Sequence, residues 1–365
     1  MTNVLANEDS HLDDLDGKII QGLQIDPRAG FSAIGDVLGV SEQTVARRFR
    51  RLRADGLIRV IGLVSLPHLG QSEWVVRVTC QPGGTGPLAD ALARRDDVAW
   101  VTLTAGGSEI VCSVQSRSDE QRDDLLQRLP ATSRVLGLTA HALLHRYVGA
   151  SSDDWAGFTG ERLTPAQVAA LRPPAEEAAD SEPVTLRDDD GPLLAELARD
   201  GRCSYATLAA ATGWSQGRAT RRLAALRRAG IVYLDLDLAM PLLGFPTAAY
   251  LWLTVEPASL VAVGTELAGH DEVPFAAAVT GSANLVATVT CRSTEALYQY
   301  VTTKIAATAG VRQLEVSPVL RRVKQAGSQT IGHRLAPPAA RPAAGSRRPR
   351  VAREPRVARE PRVAR

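Results

Sequence analysis

The sequence predicts an α+β fold in which two winged helix-turn-helix domains alternate with two βαββαβ, ferredoxin-like domains. Three observations carry that prediction. The 365-residue chain is written twice at a nearly constant offset. Each copy opens with apolar residues at helical spacing and closes with strand-like alternation. Glycines and small polar residues stand between the periodic runs, where helix ends require them.

The duplication is read directly. "LDDLDGKIIQGL" from Leu12 matches "LRDDDGPLLAEL" from Leu186, and "GVSEQTVARRFRRLRADGLI" from Gly39 matches "GWSQGRATRRLAALRRAGIV" from Gly213, both 174 residues apart. The same offset pairs Arg28 with Arg202, Phe31 with Tyr205, and Arg47 and Arg48 with Arg221 and Arg222. Further on, "VAWVTLTAGGSEIVCSV" from Val98 resembles "VPFAAAVTGSANLVATV" from Val273 at an offset of 175. Self-similarity held over such a length marks a repeated domain.

Within the first copy, Leu15, Ile19, Ile20 and Leu23 recur at helical spacing behind Asp13 and Asp14. After "IDPRAG" a short helix over 32–38 stops at Gly39. Ser41 is a good cap for a third helix, in which Val45, Phe49 and Leu52 form one buried stripe and Gly56 ends the run. "LIRVIGLVSL" then reads as a strand pair or wing. The second copy repeats this with Ser215 as cap, Ala219, Leu223 and Leu226 as stripe, and Gly230 as terminator. Each back half reads strand, helix, strand, strand, helix, strand, the order of a split βαβ unit. The expected boundaries are 12–66 and 185–240 for the winged domains and 70–148 and 245–325 for the ferredoxin-like ones. Residues 149–184 read as a linker with a short helix at 164–171, and 326–365 as a basic, disordered tail.

Composition narrows the function. Hydrophobic residues at 45% and charged ones at 22% describe an ordinary globular chain, and no apolar run approaches the ~20 residues of a membrane span. No secretory signal opens the sequence, so a cytoplasmic protein is expected. Cys80, Cys112, Cys203 and Cys291 lie far apart, which fits reduced, buried thiols. From Ala336 onward nine arginines and two glutamates give +7, so the other 335 residues carry −5 of the overall +2. An anion-binding role therefore has to rest on local clusters.

The sharpest cluster is the third helix. Arg47, Arg48, Arg50, Arg51 and Arg53 fill five of seven positions, with only Glu42 and Asp55 nearby in sequence. A solvated helix face normally mixes signs at i, i+4, and this one does not. Opposite the Val45 stripe stand Gln43, Thr44, Arg47 and Arg51, residue types that read base edges and hold phosphates. A helix entered through a glycine turn and led by small polar residues can place its N-terminal turn in the major groove of double-stranded DNA. The candidate readers are Ser41, Gln43, Thr44, Arg47, Arg48 and Arg51 in one copy, and Ser215, Gln216, Arg218, Arg221 and Arg222 in the other. Gln43 becomes Gly217 and Thr44 becomes Arg218, so unlike half-sites are expected.

This order of elements, together with the quoted front motifs, resembles the leucine-responsive regulator/AsnC family of transcription factors in a tandem form. The resemblance spans most of 12–145 and 186–323. It implies a DNA-binding, nucleoid-associated regulator and not an enzyme. It also implies effector domains that pair through their sheets, as a homo-oligomer or an intrachain pseudo-dimer. Amino-acid effectors would bind at the glycine loop between the two middle strands of each unit: Ala105, Gly106, Gly107, Ser108 and Glu109 in one copy, Thr280, Gly281, Ser282, Ala283 and Asn284 in the other. On sequence alone, a plain hairpin turn that requires glycine accounts for either loop better. No cofactor or metal is expected. The spacing of His141 and His145 could suit a metal on a helix, but on a strand it reads as core or interface. The alternative is a tetrapyrrole enzyme like the siroheme decarboxylases, which share the architecture but for which no histidine-rich cluster is seen.

Overall fold

The computed structural model describes residues 12–71, 73–115, 119–129, 134–150, 154–155, 162–173 and 184–338. The hexapeptide repeat at the end of the sequence lies outside them.

In the first head, α1 (Asp14–Ile25) starts on Asp13, which shares a reciprocal cap with Asp16. α2 (Phe31–Leu38) ends on Gly39 at φ 70°, a left-handed turn that a Cβ would oppose. α3 (Glu42–Ala54) begins on Ser41, whose hydroxyl accepts the Thr44 N–H. The apolar stripes of the three helices meet in one core through Ile19, Leu23, Ile34, Val45 and Leu52. β1 (Ile58–Val64) follows. The expected strand pair within this head is not formed: "LIRVIGLVSL" gives one strand, and its partner comes from the other copy.

β2 (Trp74–Cys80), α4 (Thr85–Ala93), β3 (Val98–Thr104), β4 (Glu109–Val114), α5 (Asp119–Arg128) and β5 (Val135–Val148) supply the first βαββαβ unit. α6 (Pro165–Leu171) lies in the stretch read as a linker, yet it docks on α1 and α2, with Trp155, Leu163 and Leu171 buried in the head's core. Those apolar side chains turn part of the connection into packed structure. The second copy repeats the plan: α7 (Gly191–Arg199), α8 (Tyr205–Thr212), α9 (Gln216–Arg228), β6 (Val232–Leu238), β7 (Thr247–Val255), α10 (Leu260–Ala268), β8 (Phe275–Val279), β9 (Leu285–Cys291), α11 (Thr294–Gln299) with a π-helical continuation over Tyr300–Ile305, and β10 (Val311–Arg322). The tail read as disordered from 326 is ordered as far as 338. β11 (Thr330–Ile331) and β12 (Arg334–Leu335) form a hairpin, Gln325 and Ser328 are buried, and the Leu335 backbone N–H donates to the Gly56 carbonyl at 2.8 Å.

The two βαββαβ sheets merge into one closed barrel in the order β10-β3-β4-β2-β5-β8-β9-β7. The long last strand of each copy makes the closure. β5 pairs with β2 of its own copy up to Ala142 and then with β8 of the other from Leu143. β10 likewise pairs with β7 as far as Pro318 and with β3 from Val319. Closure leaves no open sheet edge in this layer.

The heads are joined with the same two-fold logic. β1 and β6 form an antiparallel ribbon whose register sets Ile61 opposite Asp235, two positions equivalent in the duplication, so the pseudo-symmetry axis passes there. The ribbon is also exchanged between the heads. Leu236 and Leu238 of β6 enter the first head's core, while Val64 of β1 packs on the second. Gly62 permits that approach, since a Cβ there would lie 2.6 Å from the Leu197 Cβ. Arg28 donates to the carbonyls of Gly201 and Cys203 at 3.1 and 2.9 Å, and Arg202 donates back to those of Pro27 and Ala29 at 2.8 and 2.9 Å. Arg28 lies over the Tyr205 ring and Arg202 over that of Phe31, at 5.0 and 4.5 Å.

Arg202→Ala should lower the free energy of unfolding by about 2–3 kcal/mol, because two carbonyls lose charge-assisted donors at a partly buried seam. Denaturant unfolding followed by circular dichroism measures it. An unchanged midpoint would show that this clasp does not support the fold.

Candidate functional site

The stripe of Val45, Phe49 and Leu52 is buried, which turns the opposite face of α3 to solvent. Gln43 and Arg47 are exposed there, and so is Arg50, whose Nε donates to the Ala46 carbonyl of its own helix at 3.1 Å. In the second head Gln216, Arg218 and Arg221 are exposed on α9. Ser41 and Ser215 act as helix caps, accepting the N–H groups of Thr44 and Arg218 at 3.2 and 3.3 Å. Thr44 is half-buried, with its hydroxyl 2.9 Å from that of Ser41.

Four of the candidate arginines have acid partners, and three of these hold a fully buried one. Arg48 donates to Asp13 at 2.5 Å and to Asp16 at 3.0 Å, and Arg51 also bonds Asp16. Arg222 grips Asp190 at 2.7 and 2.5 Å and the Thr185 carbonyl at 2.7 Å. The expectation that this arginine-rich helix has only Glu42 and Asp55 for company is therefore corrected. Folding brings α1's first-turn acids against it, and Arg53 reaches Asp200 of the other head at 2.8 Å. Asp16 and Asp190 are fully buried equivalents, so the same pair ties the recognition helix to the first helix of each head. Buried carboxylates require such partners. The hydrogen bond from Arg48 holds Asp13 below its ordinary range. Burial opposes the charged form of Asp190, yet the bonds from Arg222 and from the Arg187 N–H outweigh it and hold that carboxyl low as well. Arg218 is shared between roles: it bonds Asp189 at 2.9 Å and lies over the Trp214 ring at 4.3 Å, yet remains exposed.

The glycine loops lie on the barrel. Gly106 and Gly107 have φ of 66° and 91°, and Ala105 shares the left-handed region at 49°. The Ser108 hydroxyl donates back to the Ala105 carbonyl at 2.9 Å. The Glu109 carboxylate accepts from Arg77 and from Thr104, each at 2.8 Å, and Arg77 also reaches Glu315 at 2.5 Å. In the second loop Gly281 stands at φ 114° against the His141 ring, and the Ser282 carbonyl accepts from Thr254 at 3.0 Å. Ala283 packs on the barrel's inner cluster. The Asn284 amide brackets Val255, accepting its N–H and donating to its carbonyl, both at 2.8 Å. Glu109 and Asn284 thus spend their polar groups within the fold. His141 is buried, donates to the Thr280 carbonyl at 2.6 Å and stacks against Trp252. Trp252 also carries the Arg77 guanidinium over its ring at 4.5 Å. All four cysteines are buried, and none of them forms a disulfide.

A feature the motifs do not announce is a cavity of about 150 Å³ between the barrel and the β1–β6 ribbon. Tyr233, Asp235 and Asp237 of β6 face it from one side, Val75, Ser113 and Thr288 of the barrel from the other. The signal in the sequence is "YLDLDL", where two acids alternate with leucines and so share one strand face. Asp237 is 3% exposed and one of its carboxylate oxygens has no hydrogen-bond partner. Its register partner Arg59 directs its Nη donors to the carbonyls of Ala336 and Arg199 at 3.1 and 2.9 Å. Burial pushes the Asp237 carboxyl up to about 7.

Two helix-turn-helix heads, joined by a shared ribbon above a closed αβ barrel, define a regulator that holds both halves of a dimeric DNA reader in one chain. Residues 12–53 and 188–227 match the AsnC-type helix-turn-helix domain, and residues 248–329 match the Lrp/AsnC ligand binding domain. The HTH-type transcriptional regulator FL11 of Pyrococcus horikoshii is 29% identical over 128 residues, 34% of this chain and 85% of its own. The HTH-type transcriptional regulator AldR of Mycolicibacterium smegmatis is 30% identical over 147 residues, 38% of this chain and 85% of its own. An uncharacterised HTH-type transcriptional regulator of Pyrococcus abyssi is 31% identical over 150 residues, 41% of this chain and 94% of its own. Among solved structures, the siroheme decarboxylase NirDL aligns with 86% of this chain and 93% of its own at a TM-score of 0.57 and 13% identity, a likeness of the whole tandem fold. AsnC of E. coli aligns with 38% of this chain and 94% of its own at 26% identity and a TM-score of 0.36. The chain belongs to the Lrp/AsnC family of transcriptional regulators.

Arg48→Ala should cost about 1–3 kcal/mol of stability, because Asp16 loses one of its two guanidinium partners in a buried position. Arg47→Ala should leave unfolding unchanged while weakening duplex binding about tenfold. Because Asp13 and Asp190 are held low in the folded state, the clasps contribute fully above the ordinary carboxylate range near pH 4 and are lost as pH falls below it. A pH series of thermal melts on Arg48→Ala and the parent checks this: their difference should shrink in acid.

Asp237 carries the opposite sign. Its raised folded value means that stability declines as pH rises from about 4 to about 7. Asp237→Asn should therefore match the parent at pH 4 and exceed it at pH 8 by up to about 4 kcal/mol. Equal stability at both pH values would contradict an uncompensated carboxyl.

Proposed function

We propose that this regulator binds double-stranded DNA with α3 and α9 together, the two heads reading unlike half-sites. The observation that supports it is the pair of solvent-facing recognition surfaces on heads related by one pseudo-two-fold axis. The first offers Gln43, Arg47 and Arg50, the second Gln216, Arg218 and Arg221, while Ser41, Thr44 and Ser215 set the helix entry. Arg48, Arg51 and Arg222 contribute by fixing each helix and lend their remaining N–H donors to phosphates. At equivalent positions of the leading turns Gln43 stands against Gly217 and Thr44 against Arg218, so the two heads offer different groups to base edges.

Ligand response belongs to the same reading, with an amino acid or a related small molecule as effector. The loops over 106–109 and 281–284 offer backbone N–H groups in positive-φ turns, and Glu109 would act through its pair with Arg77. Association of pseudo-dimers into larger homo-oligomers, and residence on the nucleoid, follow from the same role. A tetrapyrrole enzyme has less support. The cavity between ribbon and barrel is lined by Glu73, Asp235 and Asp237 against Arg146 and Arg322, without a histidine, and that balance does not suit a polycarboxylate macrocycle.

In a binding-site selection with purified protein, the two heads should enrich two different motifs at a fixed spacing. The double exchange Gln43→Gly with Gly217→Gln should alter preference at one base step in each. Enrichment of a single palindrome before and after the exchange would refute unequal reading.

A further inference from the structure

We propose that the cavity between the β1–β6 ribbon and the barrel is a binding site for a compact zwitterion: an ammonium group on Asp237, a carboxylate on Arg322, and an apolar body between aromatic walls. The two charged groups stand ready and unequal. Asp237 is buried at 3% exposure and keeps one oxygen without a partner, a state that costs free energy unless a cation arrives. Arg322 also lines the cavity, and its Nε is buried without an acceptor. Its Nη1 donates to the Gln325 side-chain oxygen at 3.2 Å. The other guanidinium of the cavity, that of Arg146, is already paired with Glu73. An acid with one unpartnered oxygen and a base with an unpartnered Nε therefore line the same cavity.

The walls suit an apolar body. Tyr233, Phe275 and Trp100 all line the cavity. Trp100 sits at φ 51°, where a bulky residue is an outlier, within a register break of β3 between Ala99 and Thr102. Bulges and left-handed bulky residues recur where a side chain must be re-aimed at a site. Here the break lets the Trp100 indole line the cavity, with the Arg322 guanidinium 5.5 Å from its ring centre.

Asymmetry adds a separate observation. By the 174-residue offset, Tyr233, Asp235 and Asp237 correspond to Arg59, Ile61 and Leu63 on the neighbouring strand. Only one strand of the ribbon brings acids to the space, although the backbones are related by two-fold symmetry. A void left by imperfect packing has no reason to collect a buried carboxylate with an unpartnered oxygen on one side. A ligand bound in one orientation does.

This inference rests on the regulator reading for the class of ligand and adds a site apart from the glycine loops, and its test needs no DNA. Each of the twenty protein amino acids is screened by thermal shift on the full chain, and those that stabilise it are titrated calorimetrically. At least one should bind. The corresponding amine lacking the carboxylate, and the acid lacking the ammonium group (phenethylamine and 3-phenylpropanoate where L-phenylalanine is the hit), should bind at least tenfold more weakly. Asp237→Asn should weaken the amino acid at least tenfold and leave the amine-free acid unchanged, with its own melting curve verifying the fold. Trp100→Phe should abolish part of the indole fluorescence change on binding. Failure of all twenty, or affinity indifferent to Asp237→Asn, overturns the proposal. Chains that bind duplex but no amino acid refute the cavity alone; chains that bind an amino acid but no duplex refute the regulator reading alone.

Discussion

The architecture depends on the last strand of each βαββαβ unit being longer than its own sheet can use. β5 runs for 14 residues, yet its own copy pairs with it only as far as Ala142. The backbone groups beyond that point must find partners, and the other copy supplies them. Once both strands cross, the barrel closes and the two copies are committed to a single two-fold arrangement. The ribbon of β1 and β6 and the reciprocal Arg28 and Arg202 clasp follow that axis and carry it into the heads. The placement of the recognition helices is thus a consequence of strand length at the opposite layer of the molecule.

The sequence made the local structure legible because its determinants are local. Cap residues, apolar stripes and left-handed glycines are set by neighbours within one or two turns, and Ser41, Gly39, Ser215 and Gly213 serve as their types require. Pairing partners were hidden, because a strand's alternation tells which face is buried and not which strand lies beside it. That is why β1 read as part of a wing within its own head. It is also why the docking of α6 and the order of residues 326–338 were missed, since both depend on surfaces that exist only after folding.

At the candidate site the division is similar. Exposure of Gln43, Arg47 and Arg221 was readable from the opposite apolar stripe. The grip on Arg48, Arg51 and Arg222 was not, because the acids that hold them sit on another helix. A clue was nonetheless present: an aspartate and an arginine, Asp16 with Arg48 and Asp190 with Arg222, survive at the same offset while their surroundings diverge. Retention within both copies marks a shared structural duty. Divergence at Gln43 and Gly217, or at Leu63 and Asp237, marks places where the two copies have taken different work. Charge density alone cannot separate these cases; the location of the counter-charge does.

Covalent joining of the two heads has a consequence for dosage. Separate subunits must first meet, so the supply of a competent reader rises with the square of subunit concentration when dimers are weak. Here the second head is always present at the high effective concentration set by its tether, and head pairing does not dissociate on dilution. Promoter occupancy should then follow the first power of copy number, which suits a factor kept at few molecules per cell. The same linkage frees each head to vary alone, because a mutation no longer appears on both sides of the axis.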